Sequence, residues 1–428
     1  MYQSVEDTIN MVKEKFPDQR IASVFENCYR DTIEKTIKKE PDGSSFVVTG
    51  DIPAMWLRDS TCQVRPYLML TRDDEELADV IEGVIRRQFY CINRDPYANA
   101  FNEADNGNCY MHDQTDMKPI LWERKYELDS ICFPIQLSWL FWKNSSRISH
   151  FDEQWKSAID KIMTVLETEQ YHESRSDYRF QRPEHPFPDT LSRDGKGALV
   201  KEGIGLVWSG FRPSDDACTY GYLIPSNMLL VVVMGYLAEI ADTIYHDKAL
   251  ADRAAKLSEK VRTAIEKEGV INYYGDRFYA YEVDGFGQYL LMDDSNLPSL
   301  LAAPYIGYCK ADDPLYLSTQ KAVLSERNPY FYSGKCLTGI GSPHTPAGFV
   351  WDISLAMQGL VTSDREEKMR KINEMLCNDG GTGYMHESIN CNDSSDYTRP
   401  WFSWANAMYC ELVLDYLGYG INQTNKMK

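Results

Sequence analysis

Two kinds of helical segment alternate along this chain, and the alternation constrains its fold more than any other feature. One kind is amphipathic and charge-rich, at about residues 20–38, 74–92, 151–170, 248–268, 314–325 and 364–377. The other is apolar nearly all round, at about residues 58–70, 128–143, 224–242, 295–308, 347–361 and 402–417. A helix that is apolar on every face is buried on every face. Paired one for one, six of each kind would close into a double ring, an all-α (α/α)6 toroid. An open solenoid would also alternate, but its repeats would resemble one another at a fixed period, and no such self-similarity is found. Short β segments interrupt the pattern at "SFVVTGDIP" (45–53) and "VINYYGDRFYAYEVDGFGQY", which reads as hairpin strands with Asp-Gly turns. No stretch reads as a linker, so residues 1–428 are expected to form a single domain.

Composition narrows the partners. A formal charge of −19 argues against nucleic acid, anionic lipid or polyphosphate, and favours a neutral ligand. Nine Trp and 28 Tyr exceed what packing needs and offer platforms for the apolar faces of sugars. The eleven Cys are odd in number, form no CxxC pair and sit in apolar runs such as "SICFPIQL", as buried free thiols in a reducing compartment do. The N-terminal stretch has no apolar core of a signal peptide, and "MLLVVVMGYLAEIA" is interrupted by Glu239 before it could span a bilayer. A soluble cytoplasmic protein, with no membrane or nucleic-acid partner, is the expectation.

Six polar clusters stand out: "PAMWLRDS" (53–60), "WERKYELDS" (122–130), "FRPSDD" (211–216), "LMDDSNLPS" (291–299), "GIGSPHTP" (339–346) and "GYMHESIN" (383–390), the last followed by "TRPWFSWAN" (398–406). Each lies at, or just upstream of, the start of one apolar helix. In a toroid those starts share one rim, which would make a concave polar site with aromatic walls. No His pair or Cys/His spacing suits zinc, no phosphate-binding glycine motif occurs and there is no GxSxG elbow, so neither metal nor cofactor is expected. Carboxylates remain, and two opposed carboxylates are what glycoside hydrolysis requires. Each has a bland reading as well. Asp215 and Asp216 could cap the next helix or one of them could donate a proton; Arg58 and Asp59 could be a capping ion pair. In "LMDDSNLPS", Asp294 or Ser295 reads as a cap, and His344 sits between two prolines as either a packing residue or a ligand contact. Glu387 follows a glycine-rich loop with no strong helix behind it, so an acid there is not needed for capping.

Taken together, "GDIPAMWLRDSTCQV", "DPYANAFN", "WERKYELDS", "WSGFRPSDDACTYGYLIPSNM", "GIGSPHTP", "GGTGYMHES" and "WFSWAN" resemble glycoside hydrolase family 125, the exo-α-1,6-mannosidases, from about Ile21 to about Leu417. The resemblance implies an (α/α)6 barrel, an inverting mechanism, no metal, and removal of terminal mannose from α-1,6-linked mannosides such as N-glycan fragments. By motif, it assigns the general acid to Asp215 and the general base to Glu387. Cys62, where Ala or Ser is usual, and "SINCN" after Glu387 depart from the family pattern without touching either carboxylate.

An inverting enzyme holds its two carboxyls about 6.5–9.5 Å apart to admit a water. Asp215 would have to stay protonated, helped by Asp216, burial, Trp208 and Phe211 and opposed by Arg212. Trp56, Trp401 and Trp404 are candidates to bound the sugar. Arg58, Asp59, Arg212 and Asp216 are candidates to bind its hydroxyls, with His344 beside the water. The insertion 95–119 is a candidate rim of a blind pocket. Two other classes would share much of this pattern: another carbohydrate enzyme of the same fold, an α-glucosidase-like hydrolase or a lyase, and a non-catalytic glycan-binding protein.

Overall fold

The computed structural model describes residues 2–184, 189–273 and 275–421. Its helices in chain order are α1 (Gln3–Lys15), α2 (Gln19–Asp31), α3 (Leu57–Val64), α4 (Glu75–Arg94), α5 (Leu128–Ser145), α6 (Glu153–Glu169), α7 (His172–Arg175), α8 (Ser192–Gly195), α9 (Ile224–Thr243), α10 (Lys248–Ala264), α11 (Pro314–Val323), α12 (Asp352–Leu360), α13 (Arg365–Cys377) and α14 (Ser403–Tyr416). All six amphipathic segments are helical, as α2, α4, α6, α10, α11 and α13. Five of the six apolar segments hold a helix too, α3, α5, α9, α12 and α14, although the segment 347–361 is strand over Phe349–Trp351 before α12 starts at Asp352.

The sixth apolar segment, 295–308, is a run of turns, contrary to the expectation of a helix. The cause is local. Pro298 and Pro304 withdraw donors and restrict the residues before them, and the "DDSN" side chains offer the backbone other partners. Asp293 accepts the Leu300 and Leu301 amides at 2.8 and 2.9 Å, so its carboxyl organises the turns in place of helical bonds. The expected cap by Asp294 or Ser295 therefore has no helix to cap.

The two helix kinds also start differently. Each of these six charge-rich helices begins on an aspartate whose side chain accepts a first-turn amide: Asp18, Asp74, Asp152, Asp247, Asp313 and Asp364 for α2, α4, α6, α10, α11 and α13. Such caps stabilise a helix by about 1 kcal/mol each. The buried helices begin on apolar residues that make no capping bond: Trp56, Leu223, Trp351 and Phe402 for α3, α9, α12 and α14. Their stability comes from burial instead. Every residue of α3, and every residue of α14 from Ser403 to Leu414, is buried; a fully buried Leu or Met contributes about 1.5–3 kcal/mol relative to exposure. Helix α9, 20 residues long, is apolar enough to cross a bilayer, but 78% of its apolar window is buried inside the protein.

The chain forms two compact units. The first comprises Met1–Gln88, Leu140–His150 and Phe331–Lys428. In it α14 packs on α2, α3, α12 and α13. Its strands are β1 (Ile37–Lys39) paired with β2 (Ser45–Val47), the two-residue β3 (Met55–Trp56), a hairpin of Phe331–Ser333 with Thr338–Ile340, and a three-stranded sheet in which Ser388–Asn390 lies between Phe349–Trp351 and Asp393–Thr398. The predicted β segment at 45–53 is thus strand only over Ser45–Val47. A buried Arg65–Glu411 pair at 3.1 Å ties the turn after α3 to α14.

The second unit comprises Phe89–Trp139 and Phe151–Tyr330. Helices α9 and α10 form its main helical pair. The predicted hairpin region is present as Val270–Tyr273 with Asp276–Tyr279 and as Glu282–Val283 with Tyr289–Leu290; Tyr274, in the first turn, lies outside the described residues. Tyr222–Leu223 adds to Glu282–Val283 and runs directly into α9.

Candidate active site

Asp215 belongs to the second unit. Its loop is closed by two backbone bonds, from the Arg212 amide to the Asp216 carbonyl (2.8 Å) and from the Asp215 amide to the Arg212 carbonyl (2.9 Å). This tight turn places Asp215 in the left-handed region, at φ +70°, which costs a non-glycine residue about 1–3 kcal/mol and persists only where the surroundings enforce it. The surroundings here are specific. The Tyr126 carbonyl accepts the Gly210 and Phe211 amides at 3.0 and 3.1 Å. Ser214 Oγ donates to Asp294 Oδ2 at 2.8 Å. Lys125 Nζ donates to the Asp215 carbonyl at 2.7 Å, and Asn99 Nδ2 lies 3.3 Å from Asp215 Oδ1.

Asn99 Nδ2 is also 2.9 Å from Glu123 Oε2 and 3.5 Å from Glu127 Oε1, so one amide with two hydrogens faces three acids. Burial opposes the charge on Lys125, yet Glu123, Asp215 and Asp189 together hold its ammonium above the usual lysine range. Burial also pushes the Asp294 carboxyl up, and the charge of Asp216 adds to this.

The neighbours of Asp215 take up other duties. Arg212 Nε donates to the fully buried Glu282 at 2.6 Å and its Nη2 to Thr219 Oγ1 at 3.2 Å, so its guanidinium is engaged within the protein. Burial alone would lower the Arg212 pKa; Glu282 reverses that and raises it. Asp216 is buried, and its carbonyl closes the turn. It does not cap the next helix, because α9 starts only at Ile224, with Leu223 in the cap position. Local sequence spacing suggested the cap; the strand Tyr222–Leu223 inserted before α9 removes it.

Glu387 belongs to the first unit. It follows the loop Asp379–His386, in which the Asp379 carboxylate accepts the Gly381 and Gly383 amides at 2.9 and 3.2 Å. The His386 amide donates to Asp352 Oδ2 at 2.7 Å, and the His386 ring stacks on Tyr397 at 3.8 Å. Burial lowers the His386 pKa, which favours its neutral ring. Burial likewise pushes the Asp352 carboxyl up to about 8. Glu387 is 8% exposed, and Arg399 Nη1 stands 3.7 Å from its Oε1, beyond hydrogen-bond length. A buried carboxylate with a cation at that distance retains lone pairs for a water. Arg399 is itself fixed, with Nε and Nη2 donating to Asp51 Oδ1 at 2.9 and 2.5 Å and its guanidinium over the Phe402 ring at 4.5 Å.

The other candidates of this unit fall into distinct places. Trp56 directly precedes α3 and has a buried indole N–H without a partner among the described residues. Arg58 and Asp59 follow it in the first turn, with Arg58 Nε 3.5 Å from Asp59 Oδ2. The Arg58 guanidinium lies over Trp404 at 5.6 Å, and Trp404 is 1% exposed, so that ring is a floor beneath Arg58 and no open platform. Trp401 donates its indole N–H to Asp31 Oδ2 at 2.7 Å, which anchors the chain between Arg399 and α14. His344 is exposed, its ring edge-on to Trp351 at 6.5 Å. Sequence reasoning did not single out Asn99, Lys125, Asp352 or Arg399. Three of them lie inside quoted motifs ("DPYANAFN", "WERKYELDS", "TRPW"), whereas Asp352 carries no sequence signal beyond its place in an apolar run.

Each unit thus holds one of the two candidate carboxylates, Glu387 in the first and Asp215 in the second, on a stiffened loop. Among the described residues, no group of three or more His, Cys, Asp or Glu is arranged to hold a metal ion.

Comparison with known proteins bears on this arrangement. The metal-independent α-mannosidase (GH125) profile matches residues 18–414. A Streptococcus pneumoniae metal-independent α-mannosidase, solved as a non-productive substrate complex with α-1,6-mannobiose, is 46% identical with a TM-score of 0.95, covering 97% of this chain and 98% of that one. The meiotically up-regulated gene 157 protein of Schizosaccharomyces pombe is 39% identical over 97% of this chain and 86% of its own length. A bacterial glucoamylase complexed with acarbose, at 11% identity and a TM-score of 0.55 over 86% of this chain and 49% of that one, shares the fold alone. With the profile spanning nearly the whole length, this chain belongs to the metal-independent α-mannosidases of glycoside hydrolase family 125.

Proposed function

We propose that the protein is an exo-acting α-mannosidase that hydrolyses terminal α-1,6-linked mannose, N-glycan fragments included, with inversion of the anomeric centre. The observation that carries this reading is the likeness, at a TM-score of 0.95, to an enzyme captured with α-1,6-mannobiose. Asp215 is the proton donor to the departing oxygen, and Glu387 is the base that takes a proton from the attacking water. The isolated Glu387 carboxylate, with Arg399 at 3.7 Å, suits a base that must bind a water. The left-handed Asp215, held at both its carbonyl and its carboxyl, suits an acid that must be aimed. Trp56, with a buried N–H lacking a partner among the described residues, and Arg58 and Asp59 beside it are the sugar contacts best supported in the first unit. Arg212 and Trp401 act more remotely, since each is already bonded within its own unit. The fold likeness to the glucoamylase supports the finer reading of an (α/α)6 toroid forming one catalytic domain. The eleven free thiols support a cytoplasmic setting.

The test is proton NMR of α-1,6-mannobiose incubated with the protein. Early appearance of β-mannose is expected. Early α-mannose would refute inversion, and no hydrolysis alongside cleavage of α-glucosides would refute the substrate.

A further inference from the structure

The geometry assigns to Lys125 and Asn99 the joint task of positioning Asp215, an inference that rests on Asp215 being the proton donor. Lys125 is 90 residues distant in sequence from Asp215 and Asn99 is 116. Both reach it, and they are bonded to each other, because the Lys125 amide donates to Asn99 Oδ1 at 3.1 Å. Lys125 grips the main chain, with its Nζ at 2.7 Å from the Asp215 carbonyl, while Asn99 meets the side chain at Oδ1. A carbonyl and a carboxyl of one residue, held by two linked partners, fix both the backbone turn and the direction of the acid.

The grip is itself rigid. The Lys125 side chain is 1% exposed, and its remaining donors reach Asp189 Oδ1 at 2.7 Å and Glu123 Oε1 at 3.6 Å. Its ammonium lies over the Phe211 ring at 5.2 Å, in the same loop as Asp215. The next residue, Tyr126, takes two amides of that loop through its carbonyl. A buried ammonium needs acceptors for its N–H groups as well as opposite charge, and Glu123 at 3.6 Å is beyond hydrogen-bond length, so the Asp215 carbonyl at 2.7 Å is one of its two close acceptors, with Asp189. The same bond holds the main chain of Asp215, whose φ of +70° needs a constraint from outside the turn.

Neither residue is required to touch the substrate, so both act through Asp215. A misplaced acid impairs protonation of the leaving group and spares steps that need no proton. The test compares Lys125→Met and Asn99→Ala with the parent on α-1,6-mannobiose and on a dinitrophenyl α-mannoside, whose leaving group departs without protonation. Asp215→Asn is run in parallel, and circular dichroism and thermal melting report folding. For both variants kcat on the mannobiose is expected to fall by about 10²-fold, with KM nearly unchanged and only a few-fold loss on the aryl substrate. Should Lys125→Met not fold, Asn99→Ala alone decides. Equal losses on the two substrates, with Asp215→Asn still selective for the mannobiose, would overturn the positioning role and leave the acid assignment standing. Equal losses for Asp215→Asn itself would remove the acid assignment, and the positioning role with it.

Discussion

Asp352 offers a sharp test of how burial sets charge in this protein. Its side chain is fully buried at the start of α12, Oδ2 accepts the His386 amide at 2.7 Å, and Oδ1 has no partner among the described residues. Burial raises its pKa from 3.8 to about 8, so the folded protein carries it as a neutral acid at pH 6. The sign follows from linkage. A folded pKa above the unfolded one means that the folded state binds the extra proton, so the stabilisation is complete below about pH 4 and is lost as pH rises through about 8. Between pH 5 and 7 the loss is about 1.4 kcal/mol per unit, or ~3 kcal/mol in all, against a net stability of about 5–15 kcal/mol for a typical domain.

Asp352→Asn removes the titration. The amide carbonyl can still accept the His386 N–H, but its NH2 meets the unpartnered side of the pocket, at a cost of about 1–3 kcal/mol. The variant is therefore expected to gain on the parent by ~3 kcal/mol between pH 5 and 7 and to be the more stable protein at pH 8. Urea unfolding followed by tryptophan fluorescence at pH 5, 6, 7 and 8 measures this, read as the difference between the proteins so that other titrating groups cancel. Asp293, whose carboxyl burial also pushes up to about 8, is one of those groups and is unchanged in the variant. A difference that stays constant across the range would refute the reasoning, because it would mean that Asp352 does not change its proton occupancy on folding.

Other outcomes follow from single features. Incubation with EDTA is expected to leave mannosidase activity unchanged, in keeping with the metal-independent family and the lack of a suitable donor cluster among the described residues; a loss restored by a divalent cation would contradict this. Gly235 is exposed on α9, and a methyl group added there would meet nothing within 4 Å, so Gly235→Ala is expected to raise stability by about 0.5–1 kcal/mol in urea melts. Gly221→Ala is expected to lower it by about 1–3 kcal/mol, because the new carbon would sit 2.3 Å from Cδ1 of the buried Trp208.

Much of the fold was legible because helix type is a local property. Apolar residues on one face or on all faces reveal whether a helix meets solvent, and an aspartate ahead of a charge-rich run, such as Asp364 before α13, marks its start. The exception, 295–308, failed for a reason already visible: its composition is apolar, but Pro298 and Pro304 deny it the helical ladder. The motif resemblance carried the family and both catalytic candidates, since those residues lie in long contiguous stretches.

What tertiary structure alone decided concerns partners far apart in the chain. Residue spacing left Asp215 and Asp216 alike; the fold gives them different settings, one at φ +70° and the other buried. Arg212 was a candidate for sugar hydroxyls until Glu282, 70 residues away, claimed its guanidinium at 2.6 Å. Trp404 was a candidate platform until Arg58 covered it. Asp352 shows no sign in the sequence of being a neutral acid. Periodicity and caps are short-range and survive in the order of residues, whereas desolvation and ion pairing depend on what three-dimensional packing brings within a few ångströms.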